Sequence, residues 1–352
     1  MSVLNPPQRE AIRYLDGPLL VLAGAGSGKT RVITEKIVYL IESCGFSPSN
    51  IAAITFTNKA AREMQTRVHR LLTGKPSRNL TISTFHALGV RILREDAGTL
   101  GYKPTFSILD SSDCLGIVSE LAGSTDKATI RKLQALISNW KSTLISPDEA
   151  RRNARDETET LAANAFASYS ATLQAYQAVD FDDLIALPVA LFESQPGVRD
   201  KWQNRLRYLL VDEYQDTNAA QYQFVALMGG GYRNVMVVGD DDQSIYGWRG
   251  ADIRNILDFE RDFPGARIVR LEENYRSTPN VLALANAVIS ENTERRGKTL
   301  RATRPAGEPV TLIETLDERD EADVIADIVT DRTAGSWARR DCAVLYLSLI
   351  HI

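Results

Sequence analysis

Residues 19–41 constrain the fold most strongly, because they join a buried strand to a helix through a glycine-rich turn. The run LLVLAG is apolar and of strand length, and TRVITEKIVYLI carries apolar residues at helical spacing. Between them, AGAGSGKT at 23–30 has the strand–loop–helix context of a phosphate-binding loop, with Ala23 where the strict pattern has glycine. The sequence therefore predicts an α/β fold that binds a nucleotide.

The residues of this loop explain how phosphate is held. Glycines let the backbone curl so that successive N–H groups face an anion, and the helix that follows adds the positive end of its dipole. Lys29 is predicted to reach the terminal phosphates, and Thr30 to coordinate magnesium. The predicted phosphate-binding set is Ala23, Gly24, Ala25, Gly26, Ser27, Gly28, Lys29 and Thr30.

A second motif, YLLVDEYQD, ends an apolar strand with the acids Asp212 and Glu213. Open parallel sheets bind ligands at the carboxyl ends of their strands. Asp212 is predicted to hold the magnesium ion directly or through water, and Glu213 to orient and deprotonate an attacking water. The alternative is a pair of solvated acids, which the phosphate-binding loop disfavours.

Periodicity divides the chain into three parts. Alternating strand and helix signals before residue 85 and after residue 195 predict a parallel sheet with helices on both faces. Helical periodicity dominates between them and predicts a helical insertion at 85–195. After Arg276, the runs PVTLIETL, ADVIADIV and CAVLYL predict a strand, a helix and another strand.

The composition is that of a globular protein with two or three domains, with 352 residues of which 44% are hydrophobic and 24% charged. Its three cysteines, Cys44, Cys114 and Cys342, are too widely spaced for a zinc pair or a disulfide framework, which favours a reducing cytoplasm. No signal peptide and no membrane segment are expected.

The net charge of −4 argues against a protein that holds nucleic acid by bulk positive charge. A local basic strip between residues 58 and 79 can still do so. Its cations are Lys59, Arg62, Arg67, Arg70, Lys75 and Arg78. From charge alone, a solvated helix face explains the strip equally well.

Seven motifs in fixed order resemble those of superfamily 1 DNA helicases of the UvrD, PcrA and Rep group, most of all the Rep branch. They are AGAGSGKT, ITFTNKAAREM, ISTFHALG, DFDDLI, LLVDEYQDTN, GDDDQSIYGWRGA and LEENYRS. The resemblance covers nearly the whole chain. It implies a RecA-like P-loop NTPase domain at 1–84 and 196–275, a helical insertion subdomain at 85–195, and the truncated start of a second RecA-like domain at 276–352.

The resemblance also implies how ATP is bound. Gln8 matches an adenine-reading glutamine, Tyr275 a residue that stacks on the adenine, and Arg31 a residue near the base. Arg276 matches an arginine finger for the γ-phosphate, and Gln243 a glutamine that senses this phosphate. Without the resemblance, Gln8 reads as a surface residue, and Tyr275 with Arg276 as a polar turn.

On the DNA side, the resemblance assigns contacts with single-stranded DNA to Phe56, Lys59, Arg62, Thr84, His86, Tyr246, Trp248 and Arg249. An aromatic residue beside cations is the usual platform for bases and backbone. An alternative for His86 is a structural role, in which its hydrogen bonds are made within the protein. Arg249 is as well suited to bracing the loop against an acid as to bonding DNA. Arg67 to Arg78 are interpreted as a solvated face.

The activity implied is that of an ATP-dependent 3′ to 5′ DNA helicase or translocase, using Mg-ATP on single-stranded or 3′-tailed duplex DNA. The expected setting is replication or repair, with self-association on DNA possible and accessory proteins unspecified. If the chain ends at Ile352, the alternative is an ATP- and single-strand-binding fragment without motor activity. A nucleotide kinase or GTPase is disfavoured because it leaves the aromatic and basic motifs unexplained.

Overall fold

The computed structural model describes residues 4–72, 79–293, 295–335 and 337–345. Two cations of the basic strip, Lys75 and Arg78, lie outside the described residues. The chain forms two compact units, Met1–Ala306 and Gly307–Ile352, and the first contains every described candidate site residue.

The strands explain the continuous apolar runs in the sequence. In chain order they are β1 (Leu19–Ala23), β2 (Ile51–Thr55), β3 (Thr81–Thr84), β4 (Ser107–Ile108), β5 (Ala178–Val179), β6 (Tyr208–Val211), β7 (Val235–Gly239), β8 (Arg267–Leu271), β9 (Glu273–Asn274) and β10 (Arg301–Ala302). Six of them form a parallel sheet in the order β3-β2-β6-β7-β1-β8. The predicted α/β class with a parallel sheet is confirmed.

The helices cover the sheet and build the middle of the chain. They are α1 (Pro6–Arg13), α2 (Lys29–Glu42), α3 (Asn58–Leu71), α4 (Phe85–Asp96), α5 (Ser111–Ala122), α6 (Lys127–Ser142), α7 (Pro147–Asn153), α8 (Glu157–Ala175), α9 (Asp183–Ser194), α10 (Pro196–Arg205), α11 (Ala219–Gly229), α12 (Arg254–Leu257), α13 (Phe259–Asp262), α14 (Pro279–Ile289) and α15 (Glu318–Ala334). Within the described ranges, no helix has both the length and the apolar character that a bilayer span requires.

The four central strands of the sheet, β1, β2, β6 and β7, are buried on both faces, which explains their apolar sequences, whereas the edge strands β3 and β8 are less buried. In β1, Leu20 and Leu22 belong to one apolar core, whereas Leu19 and Val21 belong to the core on the other face. The first of these cores also receives residues of α4 and α9, and the second receives residues of α2 and α3. The loops at the strand ends are therefore anchored by rigid, buried strands.

The predicted helical insertion contains a core of its own. Residues of α5, α6 and α8 form an apolar cluster that is separate from the two sheet cores. Lys141 of α6 is almost fully buried, and its ammonium lies 2.7 Å from Asp180 and 2.9 Å from Asp183. The acids of DFDDLI thus fasten this helical layer to α9, which packs on the sheet. The domain limits at 85, 195 and 276 stay predictions.

The second unit differs from the sequence-based expectation. The run ADVIADIV lies within α15, as predicted, but PVTLIETL at 309–316 forms no strand. Nor do the described residues of CAVLYL, 342–345. Leu312 and Leu316 are 96% and 95% exposed. The strand predictions were wrong for these residues because an apolar run becomes a strand only where a neighbouring strand completes its hydrogen bonds, and the described part of this unit supplies none.

Gly89 allows an unusually close crossing of α4 and α9. A Cβ atom at this position would lie 1.8 Å from the Leu184 carbonyl oxygen, which belongs to the backbone of α9. Because α9 also carries Asp183 of the buried ion pair, neither helix can withdraw without disturbing a core.

We expect Gly89→Ala to lower the free energy of unfolding by about 1–3 kcal/mol, because the added methyl group forces the two helices apart. Gly116→Ala is the matched control, since Gly116 lies in α5 with open space around its Cα, and there alanine should stabilise by about 0.5–1 kcal/mol. Urea unfolding of both variants measures the difference. Equal midpoints would contradict the close crossing.

Candidate functional site

The glycine-rich loop leaves β1 and begins α2 in the conformation that the motif requires. Gly26 and Gly28 have φ angles of +69° and +93°, in the left-handed region that favours glycine. Ser27 is fully buried, and its hydroxyl donates to the carbonyl of Gly24 at 2.7 Å. The loop is thus folded back on itself, at the positive end of the α2 dipole.

Asn274 braces this loop from the opposite side. Its buried side chain donates to the carbonyl of Ala25 at 2.6 Å and accepts from the backbone N–H of Arg276 at 2.9 Å and of Ser277 at 2.7 Å. A Cβ atom on Gly26 would lie 2.8 Å from the Asn274 amide nitrogen. Sequence reasoning missed Asn274, although it lies inside the LEENYRS motif.

Gln8 is buried against the same loop rather than exposed. Its amide nitrogen donates to the carbonyl of Ser27 at 3.0 Å, and its amide oxygen accepts from the backbone N–H of Asn5 at 3.1 Å. The Asn5 side chain in turn donates to the hydroxyl of Tyr275 at 3.0 Å. Gln8 therefore completes the capping box of α1 with Asn5 and touches the phosphate-binding loop, while its adenine-reading role stays a prediction.

The two acids of the second motif have different surroundings at the end of β6. Asp212 is 5% exposed, and burial, reinforced by the charge of Glu213, raises the pKa of its carboxyl group to about 7. Glu213 has a positive φ of +52°, and its carboxylate pairs with the Lys29 ammonium at 3.0 Å. This pair joins the second motif to the phosphate-binding loop.

Asp212 and Thr30 suit a magnesium ion. Magnesium prefers oxygen ligands and is usually bound by one or two carboxylates together with substrate phosphates. The attraction of Lys29 does not offset the burial of the Asp212 carboxyl group, and a bound cation would reverse the rise in its pKa. A carboxylate, a hydroxyl and the phosphates of a nucleotide together make a chemically suitable ligand set.

A cavity of about 410 Å³ brings most of the predicted nucleotide residues together. Its lining includes Ala25, Gly26, Gly28, Lys29, Thr30, Arg31, Glu213, Gln243, Tyr275 and Arg276. Ala23, Gly24, Ser27, Gln8 and Asp212 are not part of that lining.

Arg67 also lines the cavity, although it was interpreted as part of a solvated helix face. It lies on α3, which packs beside α2. Charge periodicity places Arg67 on the exposed side of its own helix but cannot show which loop that side meets. Arg67 is exposed, in keeping with a solvated face, but its position at this cavity was not predicted.

A second cavity, of about 270 Å³, collects part of the predicted DNA-binding set. Phe56, Tyr246 and Arg249 line it together with Thr57, Asp216, Asn218 and Gln221. The Arg249 guanidinium lies 4.4 Å from the ring centre of Trp248 and 5.2 Å from that of Tyr246, within the range of a cation–π contact. Trp248 is 66% exposed, which leaves its ring accessible for stacking.

The other predicted DNA residues lie outside this cavity's lining. Lys59 and Arg62 are exposed on α3. Thr84 is buried, and its hydroxyl oxygen caps α4 by accepting from the backbone N–H of Ala87 at 3.2 Å. His86 is half-buried, which lowers its pKa, and its ring lies 5.8 Å from that of Phe181. The roles of all these residues on DNA stay predictions.

Comparison with known proteins identifies the family. The sequence profile of the UvrD/REP helicase N-terminal domain matches residues 4–264, and that of the UvrD-like helicase C-terminal domain matches residues 269–349. The chain belongs to the UvrD/REP helicase family. The resemblance inferred from the seven motifs is confirmed.

Curated relatives extend this similarity. The ATP-dependent DNA helicase Rep of Escherichia coli is 44% identical over 347 residues, which are 97% of this chain and 52% of the relative. The ATP-dependent DNA helicase PcrA of Staphylococcus aureus is 45% identical over 350 residues, 98% of this chain and 48% of the relative. The chain of this UvrD/REP family member thus spans about half the length of the curated relatives it matches.

Asn274→Ala should weaken ATP binding about tenfold, because the phosphate-binding loop and the turn that carries Tyr275 lose their shared brace. Titration with a fluorescent ATP analogue measures the change. Asn50→Ala is the matched control, since the Asn50 amide also donates to a backbone carbonyl, at 3.0 Å, but at the amino end of β2. The same loss of affinity in both variants would contradict the bracing role.

Proposed function

We propose that the protein is an ATP-dependent DNA helicase or translocase that moves 3′ to 5′ along single-stranded DNA. The names of its relatives support the class of activity, and one observation carries the mechanism. Within the 239–251 loop, Gln243 lines the larger cavity, whereas Tyr246 and Arg249 line the smaller one. A single short loop therefore borders both proposed ligand sites. The direction of movement rests on the family resemblance alone.

In the proposed ATP complex, Lys29 exchanges partners. Its ammonium pairs with Glu213 at 3.0 Å, and the terminal phosphates of ATP would replace that carboxylate as its counter-ion. Glu213 would then be free to orient and deprotonate the attacking water. Arg276 borders the same cavity, where its guanidinium would neutralise charge that builds on the γ-phosphate. Gln243 would sense whether that phosphate is present.

The remaining proposed contacts with the nucleotide are made in the same cleft. The Tyr275 ring is 41% exposed and would stack on the adenine, with Arg31 and Gln8 near the base. Magnesium, held by Thr30 and Asp212, would supply a Lewis acid that offsets phosphate charge. Each of these residues binds or orients ATP without reacting with it.

The proposed DNA surface runs from Phe56 and the basic side of α3 to the exposed ring of Trp248. Stacking on aromatic rings together with backbone contacts from Lys59 and Arg62 would hold single-stranded DNA without strong sequence preference. Thr84, His86 and Arg249 belong to the same proposed surface. We further propose that the protein acts on 3′-tailed duplex DNA in the cytoplasm and can self-associate on DNA. Its partners would be proteins of replication or repair.

Two other functions are separable by experiment. An ATP- and single-strand-binding module without motor activity would not unwind a 3′-tailed duplex. A nucleotide kinase or GTPase would show no stimulation of hydrolysis by DNA, and membership of the helicase family disfavours it.

Lys29→Ala should reduce DNA-stimulated ATP hydrolysis about 10²-fold or more, because the terminal phosphates lose their pre-positioned cation. Affinity for a fluorescent single-stranded oligonucleotide should be kept. Lys127→Ala, which removes an exposed lysine that lines neither cavity, is the control. An unchanged hydrolysis rate in Lys29→Ala would sink the assignment of the nucleotide site.

Substitutions at the two ends of the 239–251 loop should have different effects. Trp248→Ala should weaken oligonucleotide binding by about 1–3 kcal/mol while ATP affinity is kept, because one base loses its stacking partner. Gln243→Ala should leave oligonucleotide binding intact but make ATP hydrolysis insensitive to DNA. Fluorescence anisotropy and a coupled ATPase assay measure the two quantities. If both variants lose the same function, the loop does not serve two ligands.

A further inference from the structure

Three consecutive acids follow β7, and the structure buries two of them. Asp240 and Asp241 are 2% and 5% exposed, and carboxylate oxygens of Asp240, Asp241 and Asp242 lie within 4.8 Å of one another. Such a cluster is costly unless cations and hydrogen bonds compensate for its charge. The groups that compensate for this charge show which part of the chain holds the loop after β7.

The cation is a lysine of the chain itself. The Lys298 side chain is 2% exposed, and its ammonium lies 2.7 Å from Asp240 Oδ1 and 2.7 Å from Asp242 Oδ2, with Asp241 as a third partner. Arg295 adds a bidentate pair with Asp242, both bonds being 2.8 Å long. The ammonium thus occupies the place between the carboxylates that a metal ion would need.

Asp240 links Lys298 to the nucleotide cleft through further hydrogen bonds. Its second oxygen, Oδ2, accepts a hydrogen bond from the side-chain amide of Gln243, which lines the larger cavity. Its backbone N–H donates to Gln215 Oε1 at 2.9 Å, and Gln215 Nε2 donates to Glu213 at 3.1 Å. The carboxylate that Lys298 holds is therefore the one that orients Gln243.

The segment that carries Lys298 is fixed by the nucleotide motifs on its other sides. Leu300 packs over the phosphate-binding loop, since a Cβ atom on Gly24 would lie 2.2 Å from its Cδ2. Directly after Leu300 the segment forms β10, which pairs in parallel with β9 and places Ala302 opposite Asn274. Residues 298–302 thus contact the phosphate-binding loop, the acids after β7 and the turn before Tyr275.

We propose that Lys298 is a positioning residue for γ-phosphate recognition. By holding Asp240, it fixes the Gln243 amide at the cleft, so that the protein distinguishes a nucleoside triphosphate from a diphosphate. The inference rests on the proposed nucleotide site. It adds a residue that touches no nucleotide, lies outside the seven motifs, and acts through Asp240.

The test compares the affinities of the β,γ-imido analogue of ATP and of ADP by calorimetry. Binding of both nucleotides by the unsubstituted protein establishes the site, and absence of binding defeats the proposed function rather than this inference. Lys298→Met should reduce the preference for the triphosphate analogue about tenfold, the worth of one hydrogen bond to a charged group, with ADP affinity changed less than twofold. Gln243→Ala should cause the same loss, and the double variant no further loss.

Lys141→Met is the matched control, because Lys141 is an equally buried lysine that pairs with two aspartates, but in the helical layer. It should cost similar stability without changing the preference between the two nucleotides. If Lys298→Met does not fold, Lys298→Met/Asp242→Asn restores the charge balance while Asp240 still lacks its lysine, and it should show the same tenfold loss. The proposal is overturned if the preference is unchanged in the folded variant, or if both nucleotides lose affinity equally.

Discussion

The parallel alignment of the six sheet strands, of which the central four are buried on both faces, is the constraint on which the rest of the structure depends. Leu22 of β1 pairs with Gly239 of β7, and Ile54 of β2 pairs with Val211 of β6, so these four strands end side by side. The segments that follow them are the glycine-rich loop, Phe56, the Asp212 pair and the three-aspartate loop. Four motifs that are distant in sequence thus meet at one edge, where open parallel sheets bind ligands.

At that edge, the loops have no regular secondary structure to fix them, and buried side chains hold them instead. Ser27, Asn274 and Gln215 are each at most 2% exposed. The Ser27 hydroxyl bonds within its own loop, whereas the Asn274 and Gln215 amides bond backbone atoms of neighbouring motifs. A buried amide with both ends engaged fixes two loops relative to each other, because breaking either bond leaves a polar group unsatisfied in the interior. The amides of Asn274 and Gln215 therefore hold neighbouring motifs in fixed positions at this edge.

The sequence predicted the parts of this arrangement that are local in the chain. Lys29 was predicted from the phosphate-binding loop and Glu213 from its position at the end of an apolar strand, and the structure joins them in one ion pair. Residues whose importance depends on distant partners were missed. Asn274 braces a loop 249 positions away, and Arg67 reaches the cavity only through the packing of α3. The strand predicted at 309–316 was wrong for the same reason, since strand formation depends on a partner that periodicity does not reveal.

Acids at the ends of two adjacent strands illustrate how surroundings decide the role of a residue type. β6 pairs with β7, and each strand is followed by a buried aspartate, Asp212 and Asp240. The pKa of Asp212 is raised to about 7 because burial outweighs the attraction of Lys29, so this carboxylate is suited to a cation that arrives with a ligand. Asp240 already has the Lys298 ammonium at 2.7 Å. The first acid is therefore available for a ligand, whereas the second is committed to holding the loop that carries Gln243, the proposed sensor of the γ-phosphate.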